Sequence, residues 1–174
     1  MARTSDSATL GHILPDVLTP DLRIVFCGTA ASRISAAKGY NYANPGNLFW
    51  PTLKAVALLP PNFNPLDFTT LPTYGLGLTD LAKTSIGNDD ELGDGALDVV
   101  ALRKKIERFQ PRYLAFTSKF GASTFLGHKV EYGRQAETIK STHIFVLPST
   151  SGRARRFFDV AWWQELAQRS RDEA

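Results

Sequence analysis

Residues 22–28 read Leu22-Arg23-Ile24-Val25-Phe26-Cys27-Gly28, a short apolar run that ends at a glycine. The length of this run and its β-branched content predict a buried strand. The stretch that follows, residues 28–47, is rich in Gly, Ala, Ser, Asn and Pro. Because α/β proteins keep their sites in such segments directly after a buried strand, we expect function at this end of the strand.

Further patterns along the chain predict strands that alternate with helices. Two more apolar runs predict strands, over residues 113–117 and 142–147. Helices are predicted over residues 47–59, 94–109 and 118–126, and a last helix is capped by Asp159. Residues 60–75 are predicted to form a loop, and residues 79–84 a short irregular segment. This alternation predicts an α/β fold, a three-layer α/β/α sandwich with a short, mostly parallel central sheet.

Length and composition predict one monomeric domain with a mild positive charge. The 174 residues are 43% hydrophobic and carry a formal net charge of +3, which permits an anionic partner without demanding one. The small, polar residues at the N-terminus predict a disordered arm over residues 1–12, followed by a single domain over residues 13–174.

The cysteine content and hydropathy restrict the expected compartment. Cys27 is the single cysteine, which rules out an intramolecular disulfide and a zinc site built from cysteines. A reducing cytoplasm therefore fits best. No apolar run approaches the ~20 residues that span a bilayer, so no membrane partner is expected.

The end of the first strand has the composition of a ligand site. Residues 27–32 are small, which lets a ligand approach backbone N–H groups. A tight turn from strand to helix uses the same residue types, so this segment alone leaves both interpretations open.

The next segment, residues 38–50, alternates aromatic residues with Asn and Gly. A tyrosine ring can stack on a flat base, and an asparagine can read the edge of a base in both directions. Tyr40, Asn41 and Tyr42 fit either this role or a loop that fills the core. Phe49 and Trp50 fit the core.

A third segment, residues 148–157, follows the last predicted strand and combines hydroxyl residues with three arginines. Hydroxyl and N–H groups bond phosphate oxygens, and the arginines add charge, so the pattern favours phosphate contact over a merely solvated loop.

Other polar residues lack a pattern that indicates a site. The three histidines, His12, His128 and His143, have no metal-like spacing, and the acidic residues 89–91 are expected at the solvated start of a helix.

Three blocks of residues resemble the mismatch-specific uracil/thymine-DNA glycosylase branch of the uracil-DNA glycosylase superfamily. The blocks are residues 25–28 with 35–39, Tyr42 and 44–50; residues 78–81; and residues 147–153 with Phe157. Residues 110–112 and 118–119 also follow the order of the family. The resemblance covers about residues 14–168, nearly the whole chain.

The resemblance implies an enzyme that flips a damaged nucleotide out of the duplex into a pocket. Tyr42 would stack on the flipped base, and backbone N–H groups around Thr29 and Tyr42 would bond the uracil carbonyls. The residues implied to bind the base are Gly28, Thr29, Ala30, Ser32, Ser35, Tyr42 and Asn44.

The resemblance also implies the DNA contacts. Arg153 would be a wedge, a side chain that fills the gap left in the base stack. The other residues implied to contact DNA, mainly at flanking phosphates, are Lys119, Ser149, Thr150, Ser151, Gly152 and Arg155. Because these contacts read phosphate and shape, sequence preference should be weak.

One departure from the family affects the chemistry. The family motif normally reads Gly-hydrophobic-Asn-Pro-Gly, and its Asn positions the attacking water, but the matching residues here are Gly28-Thr29-Ala30-Ala31-Ser32. Backbone donors can still stabilise the departing base. Because Ala30 has no polar group, either another side chain handles the water or solvent captures a long-lived sugar cation.

The candidates for the missing polar group are Asn41 and Asp80 as catalytic residues, with Asn44 and Ser32 behind them. Asn41 is next to Tyr42, and Asp80 lies where relatives often place an Asn that reads the base. As a carboxylate, Asp80 could accept the uracil N3–H, stabilise positive charge on the sugar, or activate water. It would repel the O4 carbonyl.

We therefore expect a monofunctional uracil-DNA glycosylase of base-excision repair, bacterial in type and associated with the nucleoid. It would act on uracil-containing double-stranded DNA, leave an abasic site, release free uracil and need no metal or organic cofactor. Two alternatives stay open. One is a glycosylase of the same fold for hypoxanthine or 3,N4-ethenocytosine, and the other is a non-catalytic binder of damaged DNA.

Overall fold

The computed structural model describes residues 11–93 and 95–173, which fold around a five-stranded sheet. The strands are β1 (Ile24–Ala31), β2 (Leu76–Ile86), β3 (Tyr113–Phe116), β4 (Gly133–Ile139) and β5 (Thr142–Val146). The α-helices are α1 (Arg33–Lys38), α2 (Phe49–Ala55), α3 (Val99–Phe109), α4 (Lys119–Leu126) and α5 (Val160–Asp172). Three 3₁₀ segments cover Pro65–Tyr74, Asp89–Glu91 and Gly152–Phe157.

The sheet is mostly parallel, as the alternation of strands and helices predicts. The strand order is β2-β1-β3-β5-β4. Strands β2, β1, β3 and β5 pair in parallel, and β4 pairs with β5 in the antiparallel direction at one edge. The carboxyl ends of the central strands therefore meet at one edge of the sheet, where α/β folds place their ligands.

Two apolar clusters sandwich the sheet and confirm the three-layer prediction. Alternate residues of β1 point to opposite faces, so that Phe26 packs in one cluster and Cys27 in the other. The first cluster contains residues of α2 and α5, including Phe49 and Trp163. The second contains residues of α3 and α4, including Ile106.

Several predicted boundaries differ from the structure. Residues 79–84, predicted as irregular, lie inside β2, and residues 60–75 contain a 3₁₀ segment. Strand β4 was not predicted, because it is an edge strand whose residues, apart from its two ends, are not buried. The helix predicted over residues 94–109 begins at Val99, since the Asp98 side chain accepts a hydrogen bond from the Ala101 N–H and caps it.

Gly11 and His12, from the predicted N-terminal arm, are described, whereas residues 1–10 lie outside the described residues, as does Asp94. None of the described helices combines the length and the apolar character needed to cross a membrane.

The segment before β1 closes the outer edge of β2 through a charged network. Asp16 forms ion pairs with Lys83 at 2.9 Å and with Lys105 at 2.7 Å. It also accepts a hydrogen bond from the Thr79 hydroxyl at 2.7 Å. Val17 forms an antiparallel bridge with Leu78. Burial disfavours ionisation of Asp16, but the two lysines outweigh it and lower the pKa of the carboxyl.

We expect Asp16→Asn to lower the free energy of unfolding by about 3 kcal/mol, because it leaves two largely buried lysines without their anion. Urea denaturation at pH 7 measures the loss. Since the folded-state pKa of Asp16 is depressed, its stabilisation is present above the ordinary carboxyl pKa and disappears as the pH falls through the folded value. The difference between parent and variant should therefore shrink in acid.

Glu137→Gln is the matched control for this experiment. It removes the carboxylate from an exposed pair with His128 and should leave the denaturation midpoint nearly unchanged. A similar small effect for Asp16→Asn would show that the network does not stabilise the fold.

Candidate active site

A cavity of about 650 Å³ opens at the carboxyl-terminal edge of the sheet. Its wall is formed by the end of β1, the segment after α1, the middle of β2 and the residues that follow β3 and β5. All of the residues predicted to bind the base, and both predicted catalytic residues, line this cavity: Gly28, Thr29, Ala30, Ser32, Ser35, Asn41, Tyr42, Asn44 and Asp80. Segments that are far apart in the sequence therefore form one site.

The predicted DNA-binding residues divide into two groups. Those of the loop after β5 line the cavity: Ser149, Thr150, Ser151, Gly152 and Arg153. Lys119 and Arg155 do not line it. Lys119 pairs with Glu131 at 3.3 Å and lies over the Tyr132 ring, and Arg155 donates to the Gly46 carbonyl at 3.0 Å.

In the loop after β5, one residue is exposed at the cavity and another fixes the loop to a neighbouring segment. Arg153 is exposed at the rim of the cavity. Thr150 is only 2% exposed, and its carbonyl accepts a hydrogen bond from the Leu48 N–H. Together with the bond from Arg155 to Gly46, this contact fixes the loop against the segment that leads into α2.

Asn41 and Asp80 form a buried polar pair in the wall of the cavity. Each residue is 5% exposed, and the Asn41 Nδ2 donates to Asp80 Oδ2 at 3.1 Å. The Trp50 indole N–H donates to the Asn41 carbonyl at 2.9 Å and holds this backbone in place. The buried Asn41 Oδ1 has no hydrogen-bond partner among the described residues. A buried acceptor without a partner is costly, so the polar pair is incompletely satisfied by the described residues.

The position of the Asp80 carboxylate depends on a glycine in the neighbouring strand. Gly28 of β1 lies opposite Asp80 of β2 in the parallel register. A Cβ atom at Gly28 would lie 2.5 Å from Asp80 Oδ1 and 3.2 Å from the Tyr42 hydroxyl oxygen. The glycine therefore leaves the space that the carboxylate occupies.

Burial raises the pKa of the Asp80 carboxyl. Lys83 lowers the pKa and Asp16 raises it, so the effects of these two partners oppose each other. The hydrogen bond from Asn41 also favours the charged form. A carboxyl group in this setting holds its proton to a higher pH than an exposed one.

Tyr42 packs against the core and also lines the cavity. One face of its ring stacks on Phe49, with 3.8 Å between ring centroids, while the residue lines the cavity. Its backbone has a φ of 58°, a left-handed conformation that is unfavourable for a tyrosine. Phe49 and Trp50 lie in the core as predicted.

The two serines of the first motif fix the segment that carries Tyr42. The Ser35 hydroxyl oxygen accepts a hydrogen bond from the Ala43 N–H at 3.1 Å, and the Ser32 hydroxyl donates to Ser35 Oγ at 3.1 Å. Ser35 is itself buried. These residues line the cavity, and they also position the loop between α1 and α2.

The structure adds polar cavity residues that were not among the predicted site residues. The added cavity residues are Asn47, Asn88, Asp89, Asp90, Thr117 and Ser118. Thr117 and Ser118 directly follow β3, so the rule applied to the first strand would have found them. Asp89 is exposed at the start of a 3₁₀ segment, as predicted, and it also lines the cavity. In the part of the chain that the structure describes, no group of three His, Cys, Asp or Glu side chains could hold a metal.

Comparison with known proteins finds a matching family model and a solved structure with a similar fold. A family model described as the uracil DNA glycosylase superfamily matches residues 15–167. A solution NMR structure from Methanosarcina acetivorans, provisionally named a uracil DNA glycosylase, is similar with 22% sequence identity and a TM-score of 0.63. The match covers 91% of this chain and 96% of the other. At this identity the structural match supports the fold alone.

We expect Gly28→Ala to lower the free energy of unfolding by about 2 kcal/mol, because its Cβ would displace the Asp80 carboxylate from a packed site. Gly93→Ala is the matched control, since its Cβ would meet nothing within 4 Å. The effect should shrink in an Asp80→Ala background, which removes the atoms that clash. An equal effect with and without Asp80 would show that another contact requires the glycine.

Proposed function

The chain belongs to the uracil DNA glycosylase superfamily, and from this membership we propose that it hydrolyses the N-glycosidic bond of uracil in double-stranded DNA. The finer assignment is to the mismatch-specific branch, whose motifs the sequence resembles. The observation that carries the proposal is the single cavity that brings Tyr42, the Asn41–Asp80 pair and the loop with Arg153 together at one edge of the sheet. The products are free uracil and an abasic site, and the proposed place of action is the cytoplasm, at the nucleoid.

The cavity suits a base that has left the duplex. The face of the Tyr42 ring that Phe49 does not cover is the surface on which the flipped base stacks. Because Phe49 lies in the core and backs this ring, the stacking platform is rigid. Flipping costs a few kcal/mol of unstacking, which the exposed Arg153 offsets by filling the gap in the base stack.

The reaction exchanges one bond at the sugar for another. The bond between C1′ and N1 of uracil breaks, and its electron pair leaves with the base. A water oxygen then bonds to C1′ and loses a proton to solvent, and the uracil anion gains one. Because negative charge develops on the base and positive charge on the sugar, preorganised polar groups around the cavity lower the barrier.

Ala30 cannot contribute to this chemistry through its side chain, so the polar contribution comes from elsewhere. Asn41 and Asp80 are buried, line the same cavity and contact each other. We assign to this pair the part that the family's Asn plays, and to backbone N–H groups around Thr29 and Tyr42 the bonds to the base.

The function is tested with a uracil-containing duplex, incubated with the protein and then treated with alkali. Strand breaks that appear only after alkali indicate a monofunctional glycosylase. In single-turnover kinetics we expect Asn41→Ala and Asp80→Ala each to slow uracil release by at least tenfold, the order of magnitude of one lost hydrogen bond to a charged group. If both variants keep the parent rate, neither residue replaces the missing Asn.

Because Ala30 stands where the family has an Asn, a second candidate function is binding of damaged DNA without cleavage, which the same experiment detects. A gel shift on damaged duplex without strand breaks after alkali would favour a non-catalytic binder of damaged DNA.

We expect Arg153→Ala to reduce activity on uracil in duplex DNA more than on uracil in single strands, because the wedge offsets unstacking, which single strands largely avoid. The ratio of the two rates is the measurement. Arg108→Ala, at an exposed arginine of α3 outside the cavity, is the control and should leave the ratio unchanged. Equal losses on both substrates would contradict the wedge role.

A further inference from the structure

We propose that three arginines at the amino-terminal edge of the sheet, opposite the cavity, bind a phosphate group that has three terminal oxygens. The residues are Arg23, Arg112 and Arg171, and we call them the arginine cluster. The ligand is inorganic phosphate or a terminal phosphate monoester, such as the one at the end of a DNA strand. The site is separate from the cavity, so the inference stands whether or not the chain is a glycosylase.

The pairing of the strands brings the arginine cluster together from three elements. Arg23 directly precedes β1 and Arg112 directly precedes β3, and the first residues of these two parallel strands are paired. Arg171 lies in the last turn of α5. Arg112 reaches the end of the same helix, where its Nη1 donates to the Glu173 carbonyl at 2.7 Å. Residues far apart in the sequence therefore place three guanidinium groups at one edge of the sheet.

The three guanidinium groups lie close enough to repel one another. Partial burial of Arg23, together with the charges of Arg171 and Arg112, lowers the pKa of its guanidinium group. None of the three arginines forms an ion pair with a carboxylate of the described residues. Because like charges that lie close together are unfavourable, an anion placed among them would be stabilising.

The carboxylates next to the arginine cluster have other partners. Glu173 accepts a hydrogen bond from the Tyr113 hydroxyl at 2.7 Å and pairs with Arg134 and Arg169, each at 3.8 Å. Asp172 accepts hydrogen bonds from an amide group of its own helix. The arginine cluster therefore keeps its excess of positive charge within the described part of the chain.

Capping of helix ends explains how the arginines are held, but not why three of them meet. Arg23 Nη2 donates to the Tyr74 carbonyl at 2.8 Å, and Arg171 Nη2 donates to the Val56 carbonyl at 2.6 Å. Tyr74, Val56 and Glu173 stand at the C-terminal ends of helical segments, whose free carbonyls attract cations. Each guanidinium group has five N–H donors, and the capping bond uses only one of them. The side chains are thus fixed in place with donors left for a ligand, which lowers the cost of binding.

The number of guanidinium groups favours a phosphate over a carboxylate. A carboxylate has two oxygens, and one guanidinium group in the bidentate arrangement occupies both. A phosphate monoester has three terminal oxygens and a charge of about −2 at neutral pH, so it can engage three guanidinium groups at once. A phosphodiester within a DNA strand has only two such oxygens and a single charge. The arginine cluster therefore suits a terminal phosphate better than the backbone of an intact strand.

The arginine cluster is too far from the cavity to share its ligand. Arg23 precedes β1, and Gly28 of the same strand lines the cavity. Since a strand rises about 3.3 Å per residue, these two residues lie roughly 16 Å apart along the strand. A phosphate at the arginine cluster is therefore a different group from anything that the cavity holds.

The test is a titration of the full chain with inorganic phosphate at pH 7 and constant ionic strength, followed by NMR at the arginine Nε–H resonances. We expect saturable shifts at Arg23, Arg112 and Arg171. In the double variant Arg112→Gln/Arg171→Gln we expect binding to be at least about tenfold weaker, because two charge-assisted hydrogen bonds to the ligand are lost. Glutamine keeps an N–H donor for the helix-end carbonyls, and the denaturation midpoint verifies that the variant folds.

The matched control is Arg103→Gln/Arg108→Gln at two exposed arginines of α3. It removes the same charge from another surface and should keep the parent's affinity. Two duplexes without damage, one with 5′-phosphates and one with 5′-hydroxyls, distinguish the sources of the phosphate. Shifts caused only by the phosphorylated duplex and by inorganic phosphate assign the site to strand ends, whereas shifts caused by inorganic phosphate alone assign it to the free ion.

Three results would overturn the inference. They are the absence of a saturable shift with phosphate, an unchanged affinity in the folded double variant, and saturation by acetate at the same concentrations, which would show that any anion is attracted. If the double variant does not fold, the single variant Arg112→Gln decides, with an expected severalfold loss of affinity and the same contrary outcome. Release of uracil plays no part in these measurements, so their failure would leave the proposed function untouched.

Discussion

The parallel pairing of β1 with β2 is the constraint on which the site depends. It places Gly28 opposite Asp80, and only a residue without a side chain leaves room for the carboxylate there. Because side chains alternate between the faces of a strand, a shift of one residue would turn Asp80 away from the cavity. The register of two strands thus decides whether the cavity has a carboxyl group.

The same alternation separates two carboxylates that are close together. Thr79 and Asp80 are neighbours on β2, but Thr79 donates to Asp16 at the outer edge while Asp80 lines the cavity. Asp16 also engages Lys83 and Lys105, so the lysines that could neutralise Asp80 are already paired. The network that closes the edge of the sheet therefore affects the electrostatics of the cavity, because both lysines pair with Asp16 and the buried Asp80 forms no ion pair among the described residues.

The sequence predicts the centre of this fold better than its edges. Strands β1, β3 and β5 are continuous apolar runs, because helices cover both faces of a parallel sheet, and this pattern is readable. Strand β4 is polar and exposed along most of its length, so its pairing with β5 leaves no apolar signal. The 3₁₀ segment Pro65–Tyr74 looks like a loop for a similar reason, since only Leu71 within it is buried.

The residues of the cavity were predictable where they follow a strand or match a family motif. They were not predictable where a contact between residues far apart in the sequence places them. The contact between Asn41 and Asp80 joins positions 39 residues apart. No local pattern predicts it, because it depends on the register of β2 and on the loop that Ser35 holds through the Ala43 N–H. The place of Asp89 at the cavity wall was not predictable for the same reason, since it comes from folding and not from its acidic neighbours.

Ala30 shows how a site can keep a polar group while moving it to another strand. The side chain at the family's motif position is lost from β1, but β2 runs parallel to it and presents Asp80 opposite Gly28, two residues before Ala30. A group on the neighbouring strand reaches the same cavity from its wall, where the Tyr42 ring and the Asn41 amide also lie. The neighbouring strand can therefore supply the polar group that Ala30 lacks, which is the role proposed for the Asn41–Asp80 pair.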